Sequence, residues 1–243
     1  MSVIALLDPA VQVTNDLLLR VADLLPAVSG GAALAVAILV VTVLIRLLLL
    51  PLAVRGELAT RARTALAPEL AALRRRFAGD RQRLAQETLR LQREAGAGPL
   101  AGVGAALLQI PVLTTLYRAV ATAHVAGSPN VLFGAAVLGA PLSGHWPGVL
   151  GAAGLLSPPA TLFAALMTAL TIVALWTGRQ QVARLRAAGA DAPLTGPTAE
   201  RVAVLLPFTT VAFAVIAPVA VTIYLLSTTT WTLVERALLA RFL

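Results

Sequence analysis

Apolar residues dominate five stretches of the chain, each close to the length that a helix needs to cross a bilayer, about 20 residues. The shorter stretches between them carry nearly all of the charge. This alternation predicts an all-α polytopic membrane protein with five transmembrane helices. The predicted spans are residues 31–53, 98–121, 159–177, 201–217 and 218–236.

Arginine placement predicts the orientation, because the cytoplasmic loops of membrane proteins carry an excess of basic residues. Residues 54–97 contain ten arginines and residues 178–200 contain three, whereas residues 122–158 contain neither arginine nor an acid. We therefore expect the N-terminus outside and the C-terminus in the cytoplasm. The segments around the spans become an external segment (1–30), a cytoplasmic helical hairpin (54–97), an external loop (122–158), a cytoplasmic loop (178–200) and a cytoplasmic tail (237–243).

Two stretches outside the spans are apolar enough to contact lipid. In residues 11–25, leucine and valine recur at helical spacing among polar residues, which predicts an amphipathic interfacial helix. Residues 131–142 are too short for a span and contain Gly134, Gly139 and Pro141. A sixth span there would place the second basic loop outside, so we expect an external interfacial or re-entrant segment. The expected apolar face of the first helix consists of Leu17, Leu18, Val21, Leu24 and Leu25.

The basic segment 54–97 predicts two helices joined by a turn. Pro68 suits the first turn of one helix, and Gly79-Asp80 indicates a helix end followed by the N-cap of the next helix. Arginines along both helices offer a docking site for acidic or phosphate-rich partners. A solvated arm that only fixes the topology explains the same charges, and the sequence does not choose between the two. The candidate docking residues are Arg74, Arg75, Arg76, Arg81 and Arg83.

Composition narrows the chemistry further. Hydrophobic residues make up 58% of the 243 and charged residues only 12%, against about 25% charged in soluble domains. The chain has no cysteine, which excludes disulfides, thiolate metal sites and a cysteine nucleophile. Its two histidines, His124 and His145, lie in the external loop without ligand spacing to acids. We therefore expect no enzymatic activity, no metal site and no cofactor.

The formal net charge of +8 would also suit a nucleic-acid partner. However, the two arginine-bearing loops are poor in the aromatic residues on which bases stack. Sequence-specific nucleic-acid binding is therefore not expected, and any contact with ribosomal RNA would be electrostatic and sensitive to salt.

Arg46 lies inside an otherwise apolar run, residues 33–52, that forms the first predicted span. A charge near the middle of such a helix costs roughly 2.5–3.5 kcal/mol on insertion scales. One interpretation is that Arg46 lines a water-filled cavity, where this cost falls. The other is that its long side chain reaches the nearby headgroups from the cytoplasmic half of the span. Arg46 alone does not decide between them.

Polar residues in three spans favour the cavity. The amide of Gln109 in the second span cannot be fully satisfied by its own helix, so it predicts a polar cavity or a helix interface. Serine and threonine are weaker indicators, because they can bond to the carbonyls of their own helix. The further candidates for lining the groove are Thr42, Thr222, Ser227 and Thr228.

Four blocks of the sequence resemble the YidC family of membrane protein insertases. They are IRLLLLPL (45–52), LAPELAALRRRF (66–77), GPLAGVGAALLQIPVLTTLYRAV (98–120) and VLLPFTTVAFAVIAPVAVTIYLLSTTTWTLVE (204–235). The third block is the most specific, through its spacing of Pro, Gly, Gln and Tyr. The resemblance extends over about residues 30 to 240, and it is to the short form of the family, which lacks a large external domain.

The resemblance implies a bacterial plasma (inner) membrane protein that inserts and folds other membrane proteins without nucleotide hydrolysis. It implies a hydrophilic groove, open to the cytoplasm and to lipid but closed on the outer side, in which Arg46, Gln109 and Tyr224 contact the client. The implied partners are nascent membrane-protein clients and the lipid bilayer, with the ribosome and the Sec translocon as further candidates. The chain departs from the family pattern at Leu225, Thr229, Glu235 and Arg236.

Two other classes of function remain open at this point. A transporter or channel for small solutes or anions would suit a groove with net positive charge. However, a transporter is expected to use intramembrane carboxylates, and the acids here lie in loops or at span ends. A non-catalytic structural subunit of a membrane complex would expose small-residue interfaces, which the third span partly offers.

Overall fold

The computed structural model describes residues 8–25, 28, 30–96, 104–125, 128–187 and 196–242. The start of the second predicted span, residues 98–103, lies outside them. Helices dominate the described ranges, with two small antiparallel hairpins between the fifth and seventh helices. The helices are α1 (Asp8–Asp23), α2 (Gly30–Ala65), α3 (Ala67–Arg76), α4 (Arg81–Glu94), α5 (Gly104–Ala121), α6 (Val131–Gly134), α7 (Trp146–Ala153), α8 (Pro158–Ala187), α9 (Pro197–Leu205), α10 (Phe208–Ile216) and α11 (Val219–Phe242). The hairpins pair β1 (His124–Val125) with β2 (Ser128–Pro129) and β3 (Ala136–Val137) with β4 (Ala140–Pro141).

Three helical stretches in the described part of the chain are long and apolar enough to cross a membrane. They are Gly30–Ala62, Pro158–Ala187 and Pro197–Ile216. Together with the helical backbone, they make this an all-α membrane protein, as predicted. The second and fifth predicted spans coincide with α5 and α11. The count of five spans stays a prediction.

The first spanning helix, α2, is longer than the predicted span. It continues through Pro51 to Ala65, so residues 54–65 belong to α2 and not to a separate hairpin. Proline removes a backbone donor and crowds the preceding turn. Transmembrane helices tolerate it because neighbouring groups can satisfy the freed carbonyl.

In the fourth predicted span, a proline lies where the helix is interrupted, unlike Pro51, which lies within α2. Residues 201–217 do not form one helix, because α9 ends at Leu205 and α10 begins at Phe208. Pro207 lies at this break, where it cannot donate a hydrogen bond to the preceding turn. The two short helices together form the third stretch that is long enough to cross a membrane.

The core forms where α2 packs against α1, α5 and α11. Its largest fully buried side chains include Leu18 of α1, Ile38 of α2 and Trp146 of α7. Residues 131–142 form α6 and the β3–β4 hairpin instead of a spanning helix, as predicted. Leu132 and Leu142 of this segment are also fully buried, so the segment covers one end of the bundle.

The first helix, α1, packs only part of its predicted apolar face, Leu18 and Val21, on the core. Val11 and Leu18 are buried against the core, whereas Leu17 is 40% and Leu24 is 77% exposed. Because α1 packs on α2 and α5, its orientation is set by these neighbours as well as by its own apolar positions. The interfacial location of the helix stays a prediction.

The helices α3 and α4 pack against each other. Pro68 lies in the first turn of α3, and the Asp80 side chain caps α4 by accepting a 3.0 Å hydrogen bond from the Arg83 backbone nitrogen. Both local predictions are confirmed. A side-chain hydrogen bond from Arg90 to Glu94 raises the pKa of the Arg90 guanidinium. The five candidate docking arginines, Arg74, Arg75, Arg76, Arg81 and Arg83, are exposed.

Candidate functional site

Arg46 of α2 meets polar side chains from two other helices. Its Nε donates a hydrogen bond of 3.0 Å to Thr228 Oγ1 on α11, and its Nη2 donates to the same oxygen. Nη2 also donates a 3.2 Å hydrogen bond to Gln109 Oε1 on α5. The guanidinium is therefore held in place by side chains 63 and 182 residues away in sequence.

Gln109 completes the cluster by using both ends of its amide. While Oε1 accepts from Arg46, Nε2 donates to the Tyr224 hydroxyl and, at 3.3 Å, to Thr228 Oγ1. Tyr224 is 3% exposed, so its ring anchors the amide from the buried side. We call Arg46, Gln109, Tyr224 and Thr228 the arginine cluster.

All partners of Arg46 in this cluster are neutral. Among the residues that the structure describes, no carboxylate lies within ion-pair distance of its guanidinium. The hydrogen bonds orient the charge but do not neutralise it. A partly buried cation of this kind attracts anionic groups more strongly than one in bulk water would.

In the described part of the chain, two cavities border the arginine cluster. The first has a volume of about 390 Å³ and lies between α5, α8, α10 and α11. The second has a volume of about 430 Å³ and lies between α2, α8 and α11. Both cavities are lined by Arg46, Gln109, Thr232 and Arg236, so these four residues form the boundary that they share.

Along α11 the cavities occupy only one half of the bundle. Residues 219–225 are all buried in the core. After them, Thr228, Thr229, Thr232 and Arg236 follow at helical spacing and line the first cavity. The same division holds for α2, whose buried residues Ala37, Ile38 and Val41 precede Arg46. Along α11, the cavities therefore lie on the C-terminal side of Tyr224.

The other half of the bundle is closed by the segment that joins α5 to α8. Trp146 is fully buried, and its Nε1 donates a 2.9 Å hydrogen bond to Thr222 Oγ1. Its ring lies 4.9 Å from that of Phe163 on α8. Backbone bonds from Val219 to Gly144 and from Ala220 to Leu142, each 3.0 Å long, tie α11 to the same segment. We call this packed region the closed layer.

The predicted groove residues divide between these two regions. The structure brings together Arg46, Gln109, Tyr224 and Thr228. It places Thr222 in the closed layer, with no exposed surface. Thr42 is buried and donates its hydroxyl to the carbonyl of Ile38, 2.6 Å away. Ser227 lines neither cavity.

Sequence reasoning missed one prominent lining residue, Arg236. The signal was present, because Thr228, Thr232 and Arg236 follow each other at intervals of four residues. Such a spacing places side chains on one helix face. Arg236 was noted only as a departure from the family pattern, at the end of a span.

The comparison with known proteins decides the family. A family model described as "60Kd inner membrane protein" matches residues 25–243. The chain belongs to this family. It is therefore an integral protein of the bacterial inner membrane, and the resemblance to YidC is confirmed by relatives that carry this name.

Three curated relatives illustrate the similarity. The "Membrane protein insertase YidC 1" of Halalkalibacterium halodurans is 43% identical over 101 residues, which are 40% of this chain and 39% of the relative. The "Membrane protein insertase YidC" of Alkalihalophilus pseudofirmus is 32% identical over 133 residues, or 48% of this chain and 51% of the relative. The "Membrane protein insertase MisCA" of Bacillus subtilis is 39% identical over 87 residues, or 34% and 33%. In each case the match spans about half of the relative's length or less.

The closed layer can be tested by removing the Thr222 hydroxyl, which accepts from Trp146 Nε1 and lies 3.2 Å from the carbonyl oxygens of Ala214 and Pro218. Thr222→Val keeps the side-chain shape but leaves the buried Trp146 indole N–H without its acceptor, which costs about 1–3 kcal/mol. We expect a lower unfolding temperature in detergent for this variant. Thr230→Val, at an exposed position on the same helix, is the matched control. Equal stability of the two variants would show that this bond does not hold the layer together.

Proposed function

We propose that this protein is an insertase that takes client segments into the groove beside Arg46 and releases their apolar helices into lipid. The observation that carries the proposal is the arginine cluster: an oriented charge without an ion-pair partner among the described residues, at the edge of two cavities whose linings mix polar and apolar side chains. The relatives, which are named membrane protein insertases, agree with this function.

The mechanism needs no covalent chemistry. Moving polar backbone and charged side chains through hydrocarbon is costly because their hydrogen bonds to water are lost. A polar groove that reaches partway into the bundle shortens this path. The Arg46 guanidinium attracts an acidic client side chain into the groove, and the client's apolar helix then leaves sideways. The protein acts as a non-enzymatic insertion factor.

The proposal includes the predicted topology: five spans, an external N-terminus, a cytoplasmic C-terminus and the α3–α4 pair in the cytoplasm. The excess of arginines in residues 54–97 and 178–200 supports this orientation. With this topology, the cavities open towards the cytoplasm and the closed layer faces outward. Clients would enter from the side on which they are synthesised.

The partners follow from the same arrangement. Nascent membrane proteins are the proposed clients, and the ribosome and the Sec translocon are candidate assemblies that deliver them. The exposed arginines of α3 and α4 support docking to acidic or phosphate-rich surfaces. Contact with ribosomal RNA through these arginines would weaken as salt is raised.

Reconstitution of the purified protein into liposomes tests the proposed function. We expect a short single-span client to insert without any other protein, measured as protection of its translocated segment from added protease. Anion currents in single-channel recordings, without client protection, would instead support a channel. Client insertion that required a second membrane complex would support a structural subunit.

A further inference from the structure

Arg236 is the second arginine that lines both cavities. It lies on α11, two helical turns beyond Thr228 of the arginine cluster, and its side chain is partly buried. Thr232 lies between them on the same helix face and also lines both cavities. Arg46 and Arg236 therefore present two positive charges to one polar space.

The acids near Arg236 are engaged with other residues. Glu57 pairs with Arg184 of α8 at 3.4 Å and with Arg61 at 3.7 Å. Glu235 accepts a 2.7 Å hydrogen bond from the Trp231 indole nitrogen. Within the described ranges, Arg236 itself makes no ion pair or hydrogen bond.

The charge around Arg236 is mixed but not neutral. Arg184, Glu57 and Glu235 line the second cavity together with Arg46 and Arg236. The described lining of the first cavity contains two arginines and no carboxylate. Over both cavities, three arginines face two carboxylates, so an excess of positive charge remains that a bound anionic group would offset.

We infer that Arg236 is a second client-binding residue, which makes the groove selective for client segments that carry two acidic side chains. Arg46 binds one carboxylate and Arg236 binds the other across their shared boundary. This inference rests on the proposed insertase function and names the class of client. A guanidinium suits the role because its planar fork matches the geometry of a carboxylate.

Clients that differ only in their number of acidic residues can separate the roles of the two arginines. The purified full-length protein is placed in liposomes with single-span clients whose translocated segment carries no, one or two aspartates. Arg236→Gln removes the charge, and Arg236→Lys keeps it. Arg241→Gln removes an exposed arginine from the last turn of the same helix and is the matched control. Protease protection of the translocated segment is the readout.

We expect Arg236→Gln to reduce insertion of the two-acid client about fivefold more than that of the one-acid client, as for the loss of one partly buried charge pair. Arg236→Lys should recover most of the lost insertion of the two-acid client, and this recovery would exclude misfolding as the cause of the loss. Arg241→Gln should match the wild type. Equal losses for one-acid and two-acid clients, or no loss, would overturn the inference. If insertion depended neither on the number of aspartates in the client nor on Arg46, the proposed function would be overturned as well.

Varying the lipid composition tests whether the anion at Arg236 comes from a lipid headgroup instead of a client carboxylate. The same series is repeated in phosphatidylcholine vesicles with and without phosphatidylglycerol. A client carboxylate at Arg236 predicts the same dependence on acid number in both. An effect of Arg236→Gln that appears only with phosphatidylglycerol, and equally for all clients, would assign the residue to a lipid headgroup and overturn the inference.

Discussion

Replacing Arg46 with alanine is expected to reduce insertion of a client with an acidic translocated segment by at least about tenfold, the loss expected for a charge-assisted hydrogen bond. The variant removes the charge at the edge of both cavities and leaves Gln109 Oε1 and Thr228 Oγ1 without their guanidinium donor. Arg46→Lys keeps the charge but cannot contact both oxygens through a planar fork, so intermediate activity is expected. Complementation of an insertase-depleted strain and protease protection in liposomes both measure the effect.

Arg55→Ala is the matched control for this substitution. Arg55 lies on the same helix, is exposed, and lines neither cavity. It should support growth and insertion at the level of the unmodified protein. Full activity of Arg46→Ala with acidic clients would contradict the proposed role of the arginine cluster, and an equal defect in Arg55→Ala would point to loss of general basic charge.

The largest effect on stability is expected at Gly31, where α2 begins. A Cβ atom at this position would lie 2.0 Å from the carbonyl oxygen of Ala136 and 2.7 Å from its nitrogen. Because both are backbone atoms of β3, no side-chain rotation can relieve the clash. Gly31→Ala should therefore lower the free energy of unfolding by at least about 2 kcal/mol, as overpacked cores do. Thermal unfolding in detergent measures the loss.

Gly148→Ala provides the comparison for Gly31. Gly148 lies in α7, where an added Cβ atom would meet no other atom within 4 Å, and alanine is the better helix former. Its unfolding temperature should stay the same or rise slightly. If Gly31→Ala were as stable as Gly148→Ala, the close approach of α2 to β3 would not contribute to the stability of the closed layer.

The arginine cluster was largely predictable from the sequence because its members have few alternatives. An arginine and a glutamine inside apolar helices must find polar partners or water, and the bundle offers both in one place. Tyr224 was placed there by family resemblance alone. Its hydrogen bond to Gln109 depends on how α5 packs against α11, which periodicity does not reveal.

The threonines were less predictable because a threonine hydroxyl has more alternative partners than an arginine or a glutamine. A threonine hydroxyl can be satisfied by its own helix, as Thr42 is by Ile38, or by a distant group, as Thr222 is by Trp146. Sequence gives no preference between these outcomes and cavity lining. Prolines were similarly ambiguous: Pro51 lies within α2, whereas Pro207 separates two helices.

The closed layer has a consequence for the energy supply of the cell. A bacterial inner membrane stores work as gradients of protons and other ions, and a polar passage through it would discharge them. The buried residues 219–225 and the Trp146 side chain interrupt such a passage. With the proposed topology, the cavities beside Arg46 end within the bundle, and the ion gradients across the membrane are preserved.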